Sequence, residues 1–481
     1  MTNNDSLAEA VSAQDGSAER GYRDLHQTLA ALEREGLLIT VDREINKDTE
    51  LHPLVRWQYR GGIKEPDRKA FLLTKVVDAK GRKYDIPVVV GALAASRKIC
   101  GVDTSCELAQ IGASWTRAIA NPVKPLVVLD APCQEVVITG DQLDLPGKGL
   151  DGRPSSFSTP GRDHAPHTTL SKYISKDPDS GIQNLGIHRG QVKAPRRLGI
   201  NPSLEIQPGI CAHWEKAKAR GERLPAAVTL GCPPCVAFTS AQKLPIDLDE
   251  LHVAGAPIRV VKCKTVDLLV PAEAEIVIEG FINTEWLEPE APFGESHGHV
   301  NPQEFNAYME MTAITHRRKA ILTAITSQVT PSESSLIKRM ARERVFLSHL
   351  TKALGIRGVK RVSMHEPLTN LRKVLVVGGR LVVAANKEGR LTLYTAFRPQ
   401  DLPALIEPFE KKTGIRVTKR FVQRRKAGAA AGQPHHGTAG HLVLVLYGRR
   451  TFAVATATNA RGHQAATGRG GRQASSLQDP S

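Results

Sequence analysis

No run of apolar residues in the chain approaches the ~18 that a membrane-spanning helix needs, which excludes a helical transmembrane protein. A secretory signal is also lacking, because Met1 to Ala18 is polar and acidic where a basic n-region and an apolar core would stand. Cysteine is sparse. The seven (Cys100, Cys106, Cys133, Cys211, Cys232, Cys235, Cys263) are odd in number and irregular in spacing, which argues against a disulfide framework and for reduced thiols. A soluble, cytoplasmic protein is the expectation. Acidic residues run out at one end only: from Lys411 to Ser481, 13 Lys and Arg face the single acid Asp479, so +12 of the net +16 lies there. Aromatics make up 5% and do not interleave with those basic residues, which leaves no platform for base stacking. Such a stretch attracts polyanions only non-specifically, and no specific nucleic-acid partner is expected.

What is present suits a folded protein of two or three domains, since 481 residues exceed one compact core and the 41% hydrophobic content is ordinary. Residues 1–20 read as a disordered leader. Leu25, Leu29 and Leu32 repeat at helical spacing and Gly36 follows, predicting an amphipathic helix over 22–35. Apolar runs at Phe71–Val77, Ile86–Val90, Leu126–Leu129 and Glu135–Thr139, with a helical stretch over Ser105–Ile119, give an N-terminal α/β domain over 21–128. From 129 to 330 β-prone segments dominate: Ala226–Leu230, Ile258–Lys264, Glu275–Ile282 and Ala320–Ile325 suit a barrel-like or sandwich domain. A helix over 334–354 and strands in Gly355–Met364 and Lys373–Val377 read as the start of a truncated C-terminal α/β domain, 331–377. Residues 378–420 resemble the opening of a periplasmic solute-binding protein, with a helix over Leu402–Thr413. Residues 421–481 read as a basic, largely disordered tail apart from Leu442–Tyr447.

Two stretches carry chemistry. In Asp177-Pro-Asp-Ser-Gly-Ile-Gln-Asn184-Leu-Gly-Ile-His-Arg189, an amide oxygen and a planar guanidinium fork follow a turn. In Glu290-Ala-Pro-Phe-Gly-Glu295, carboxylates five apart would oppose each other on a strand, but Pro292 and Gly294 force a bend that can bring them together. Near an arginine such a pair can divide its labour, one carboxylate held ionised and one able to deliver a proton. An acidic surface loop is the bland alternative.

These stretches, with Asp24-Leu-His-Gln-Thr-Leu, Gly221-Glu-Arg-Leu-Pro225, Leu244-Pro-Ile, Glu250, Ala254-Gly255, Val260-Val-Lys-Cys and Val270-Pro-Ala-Glu-Ala-Glu-Ile-Val-Ile-Glu-Gly280, resemble the UbiD family of prenylated-flavin decarboxylases over residues 22–377. The resemblance implies an α/β (α+β) protein whose central split β-barrel, 129–330, binds prenylated FMN. It implies catalytic Arg189, Glu290 and Glu295. Arg189, held by Glu290, would orient a substrate carboxylate, and Glu295 would protonate the carbon that loses CO₂. Asn184, Ile187, His188, Arg189 and Glu250 would contact the cofactor. Asn184 and Glu250 would ligate a divalent metal, commonly Mn²⁺, with K⁺ as a further ion. A histidine ligand found in some members falls at Gly209 here, with His213 as a substitute. The implied partners are a small aromatic or unsaturated acid, a flavin prenyltransferase that supplies the cofactor, and further copies of the chain in a homo-oligomer. The contrasting reading is a catalytically inactive subunit or remnant that only binds partner subunits.

Other signals do not reach function. Cys232-Pro-Pro-Cys235 has redox or zinc spacing, but no second pair accompanies it and no helix start is expected after it. Gly147-Lys148 resembles the end of a phosphate loop, yet Gln142 and Gly149 stand where Gly and Ser or Thr are required. His435-His436 reads as a solvated pair.

Overall fold

The computed structural model describes residues 22–60, 62–93, 108–202, 208–242, 244–254, 258–295, 300–327 and 331–353, and beyond these 359–363, 374–379, 390–395, 407, 410–411, 416–421 and 443–446. The expected leader, Cys100 and Cys106, most of the 402–413 helix, His435-His436 and the tail other than Phe421 and 443–446 lie outside the described residues.

The first helix, Leu25–Arg34, forms where the leucine spacing predicts it. The Asp24 side chain caps it by accepting from Gln27 N–H (2.9 Å), and Gly36 ends it at a φ of 66° that only glycine adopts without strain. Leu25, Leu29 and Leu32 are buried against Ala70, Val89 and Ile321. Each such side chain contributes roughly 2 kcal/mol of transfer free energy. Beneath lies a mixed sheet in which Leu38–Asn46 pairs parallel with Ala70–Val77, and Ala70–Val77 pairs antiparallel with Val88–Val90. Its last strand, Leu322–Ala324, comes from far along the chain and pairs parallel with Val88–Val90.

The central layer is a nine-stranded, mainly antiparallel sheet that curls into a half-barrel. Its middle strands, Leu224–Leu230 and Ile276–Ile282, are almost continuously apolar because both faces are covered. Alternate residues serve different cores. Ala226, Val228, Leu230, Ile276 and Ile278 join one cluster with the N-terminal sheet, while Ala227 and Val277 join another with Ile174, Leu185 and Val260. The register shifts between Glu279 and Gly280, and a Cβ on Gly280 would lie 2.0 Å from Glu310 O, so this bulge admits glycine alone.

The curl has a direct consequence. Strand Gln183–Ile187 lies at one edge of the sheet, whereas Gly190–Ala194 and His167–Thr168 lie at the other. Only His188 and Arg189 separate Gln183–Ile187 from Gly190–Ala194, so two residues bridge the open seam and Arg189 sits in it. Beyond the barrel, Glu333–Ser348 forms the expected helix and packs on Leu108–Ala120. Strands Val359–Ser363, Val374–Gly379, Arg390–Thr395, Arg416–Phe421 and Val443–Leu446 pair in one sheet, so its strands come from all three segments that composition separates after residue 331. No described helix is long and apolar enough to cross a membrane.

Candidate active site

Arg189 and both motif glutamates meet at the seam. The guanidinium donates from Nε to Glu290 Oε1 (2.8 Å) and from Nη2 to Glu290 Oε2 (2.8 Å), the two-pronged geometry that a planar fork allows, and its remaining nitrogen, Nη1, donates to Glu295 Oε1. The bend between the glutamates is built from pieces. Glu290 ends the strand Glu288–Glu290, which pairs with Glu304–Asn306, and Phe293–Gly294 pairs with Val300–Asn301. Ala291 N–H donates to Gln191 Oε1 (2.9 Å), and Gly294 N–H donates to Asp163 Oδ1 (2.7 Å). Residues 296–299, the remainder of the motif, lie outside the described residues.

Glu290 is buried and heavily solvated by protein. Asn201 Nδ2 (2.7 Å) and Asn306 Nδ2 (2.9 Å) both donate to Oε2, and His167 Nε2 lies 3.6 Å from Oε1. Burial alone would push this carboxyl up. The contacts from His167, Arg189 and Asn201, with the charge of Arg189, outweigh it and hold the group at about 2. Phe293 lies under the guanidinium, 4.8 Å from ring centre to Cζ, and packs at a 54° tilt against His167, with ring centres 4.6 Å apart. Glu290 therefore stays ionised and fixes the arginine, whereas Glu295, with 18% of its side chain exposed, reaches solvent more readily.

The expected cofactor residues lie beside this set. Ile187 N–H donates to Ser240 O (3.2 Å) and His188 N–H to Ser171 O (3.1 Å), which fixes the backbone entering the seam. His188 Nε2 is buried with no partner among the described residues, and burial pulls the imidazole down to about 4, so it is neutral. This orphaned nitrogen fits a polar ligand edge such as that of a flavin.

One turn back, Asn184 Nδ2 donates to Glu250 Oε1 (2.8 Å) and Leu185 N–H donates to Glu250 Oε2 (2.7 Å). Burial pushes the Glu250 carboxyl up to about 8, and no cation pairs with it among the described residues. A buried carboxylate and a side-chain amide, here joined through the amide nitrogen, are groups whose oxygens a hard cation takes. Gly209, where the resemblance places a histidine ligand, opens the helix Gly209–Ala219 and adjoins Asn184, a Cβ there lying 2.6 Å from Asn184 Cγ, but it offers no imidazole. His213 does not replace it. Its Nδ1 bonds Ser175 Oγ (2.8 Å) and its Nε2 lies 4.0 Å from Asp177, and no three His, Cys, Asp or Glu side chains cluster for a metal among the described residues.

Sequence reasoning missed Asn201, Asn306, His167 and Asp163, which come from four separate places in the chain and carry no local signature. Phe293 was inside the motif, and its position between the two glutamates was the one available hint. Cys232 and Cys235 are both buried and neither forms a disulfide. Contrary to expectation a helix, Pro234–Thr239, does begin there, since a proline preset at the first helical position needs no N–H donor. Burial pushes both the Cys232 thiol and its redox reactivity away from thiolate chemistry.

Residues 126–329 match the profile of the UbiD 3-octaprenyl-4-hydroxybenzoate carboxy-lyase Rift-related domain. The chain is 31% identical over 355 residues to a protein of Aquifex aeolicus (strain VF5), covering 68% of each. It is 32% identical over 309 residues to the phenolic acid decarboxylase of Bacillus subtilis (strain 168), covering 62% of this chain and 63% of that protein. A protein of Synechocystis sp. is matched over 66% of its length at 28% identity, so this chain spans about two thirds of the curated relatives it matches. Among solved structures it is similar to an evolved dimeric form of the UbiD-class enzyme HmfF from Pelotomaculum thermopropionicum in complex with prFMN, at 28% identity and a TM-score of 0.64, covering 83% of this chain and 85% of that one. It is also similar to the closed form of Sedimentibacter hydroxybenzoicus vanillic acid decarboxylase, at 25% identity and a TM-score of 0.66, over 75% of each chain.

Proposed function

The chain belongs to the UbiD family of carboxy-lyases, and on that premise we propose that it is a non-oxidative, reversible decarboxylase of an aromatic, heteroaromatic or α,β-unsaturated carboxylic acid that uses prenylated FMN. One observation carries this reading: a single guanidinium, Arg189, is gripped along one edge by Glu290 and offers its other edge to Glu295. The arginine orients the substrate carboxylate through that second edge. Glu290, ionised at any physiological pH, keeps the fork in one plane. An arriving carboxylate shares the edge with Glu295, and two like charges at one guanidinium favour a proton on one of them. Glu295 is then in the form that delivers a proton to the carbon as CO₂ leaves, which balances the reaction RCOO⁻ + H⁺ → RH + CO₂.

His188, Ile187 and Arg189 would line the cofactor, and Asn184 with Glu250 would hold a divalent cation, Mn²⁺ or a similar hard ion, at its phosphate. When bound, prenylated FMN supplies the electron sink for the pair released with CO₂. HmfF carries prFMN in the structure to which this chain is similar, and the B. subtilis relative is named for phenolic acids, which supports both the cofactor and an aromatic substrate. A homo-oligomer is the assembly we propose, and the cytoplasm the compartment, in keeping with five described cysteines none of which forms a disulfide.

The test is purification from cells that also express a flavin prenyltransferase, followed by CO₂ release from a panel of hydroxybenzoic, furoic and cinnamic acids. At least one acid should turn over, with solvent deuterium appearing at the carbon that bore the carboxylate. Flavin-loaded protein that releases no CO₂ from any of them, or in which Glu295→Gln leaves the rate unchanged, would overturn the reading.

A further inference from the structure

Away from Arg189, the chain encloses a cleft of about 620 Å³ between the Lys83–Tyr84 strand, the Val136–Thr139 strand and the residues that follow strand Tyr308–His316. None of Arg189, Glu290, Glu295, Asn184 or Glu250 lines it. Six of its lining side chains are Lys or Arg and one, Asp85, is acidic. Arg82 pairs with Asp151 (3.4 Å) and Lys83 with Glu44 (2.5 Å), but Lys148, Arg153, Arg318 and Lys319 have no carboxylate within ion-pair distance among the described residues.

Arg153 is the informative member. It is 7% exposed, and its Nε and Nη2 are buried without a hydrogen-bond partner among the described residues. Its one bond runs from Nη1 to Gly152 O (3.4 Å). A buried, unpartnered guanidinium costs several kcal/mol of lost hydration, so its retention calls for an anion that solvates it. Asp151 fills that role only in part: its charge acts on Arg153, but its Oδ2 is taken by Gly147 N–H (2.7 Å) and Arg82, and neither of its oxygens hydrogen-bonds the Arg153 guanidinium. Burial pulls the Arg153 guanidinium down to about 10, and after burial the charges of Arg153 and Lys148 help hold nearby His316 below its ordinary range.

The Gly147-Lys148 element, which fails as a nucleotide loop, is what builds this wall. A Cβ on Gly152 would lie 1.9 Å from Gly147 O, so only glycine lets the 147–152 loop fold back on itself and set Lys148 and Arg153 on one cleft.

We propose that this cleft is a binding site, separate from the decarboxylase site, for a small multivalent oxyanion whose phosphate or carboxylate oxygens are received by Arg153 with Lys148, Arg318 and Lys319. A phosphorylated metabolite and a polycarboxylate present the same chemistry, and two probes distinguish them: inorganic pyrophosphate and citrate. Each is titrated into the full chain by calorimetry at fixed ionic strength. Saturable binding of at least one is expected, weakened about tenfold or more by Arg153→Met and by Lys148→Glu, the loss expected for one charge-assisted contact. Arg424→Ser with Arg425→Ser, in the basic C-terminal stretch, should leave affinity unchanged. Should Arg153→Met fail to fold, Lys148→Glu and Lys319→Glu alter exposed side chains and carry the test alone. Absence of binding by both probes, or binding that survives these cleft substitutions and falls with those at 424 and 425, would overturn the proposal. Neither outcome depends on flavin or on turnover.

Discussion

Arg189 and Arg153 are both arginines almost withdrawn from solvent, yet the fold treats them in opposite ways. Arg189 meets two carboxylates, each of its three side-chain nitrogens donates to one of them, and an aromatic ring supports its plane. Arg153 meets one backbone oxygen and a crowd of like charges. A buried charge neutralised within the fold is held in a fixed geometry, as a reaction requires. One that no carboxylate of the fold hydrogen-bonds keeps its binding energy for something that arrives later.

The contrast can be broken at several points. Removing the grip on Arg189 should have the largest effect: Glu290→Gln leaves a buried guanidinium short of its counter-charge and should lower stability by about 3–5 kcal/mol, read in a urea melt, with activity lost as well. Glu295→Gln should cut turnover by about 10²–10⁴-fold while the melting temperature and flavin absorbance stay close to those of the parent, separating proton delivery from scaffolding.

The pH dependence follows from Glu290. Its folded value, about 2, lies below the ordinary 4.5, so the unfolded chain binds the proton more readily. The stability it contributes, about 3 kcal/mol, is complete above pH 4.5 and is lost as the pH falls toward 2. Thermal melts across that window should drop more steeply for the parent than for Glu290→Gln, and parallel curves would refute the assignment. At Arg153 the sign reverses. Arg153→Met removes a buried charge that no carboxylate hydrogen-bonds and should raise the melting temperature, by about 1–4 kcal/mol of stability, whereas Arg189→Met strands two carboxylates and should lower it. The smallest effect is expected from Mn²⁺, which should stabilise the parent by mass action and leave Glu250→Gln unmoved.

Local sequence was sufficient wherever a pattern repeats along the chain. Leucine spacing located the Leu25–Arg34 helix, near-continuous apolar runs located Leu224–Leu230 and Ile276–Ile282, and the Pro292 and Gly294 bend marked two glutamates able to converge. Those signals are short-range, arising from the 3.6- and 2-residue periods and from residues that forbid regular structure.

Tertiary structure alone decided the rest. That Leu322–Ala324 would complete the N-terminal sheet, that the barrel seam would fall at His188 and Arg189, and that Asn201 and Asn306 would converge on one Glu290 oxygen all depend on strand order and register. So does the contrast between the two arginines. Nothing in the residues beside Arg189 or Arg153 says which will find a carboxylate, because burial and long-range pairing arise only when segments a hundred residues apart close over one another.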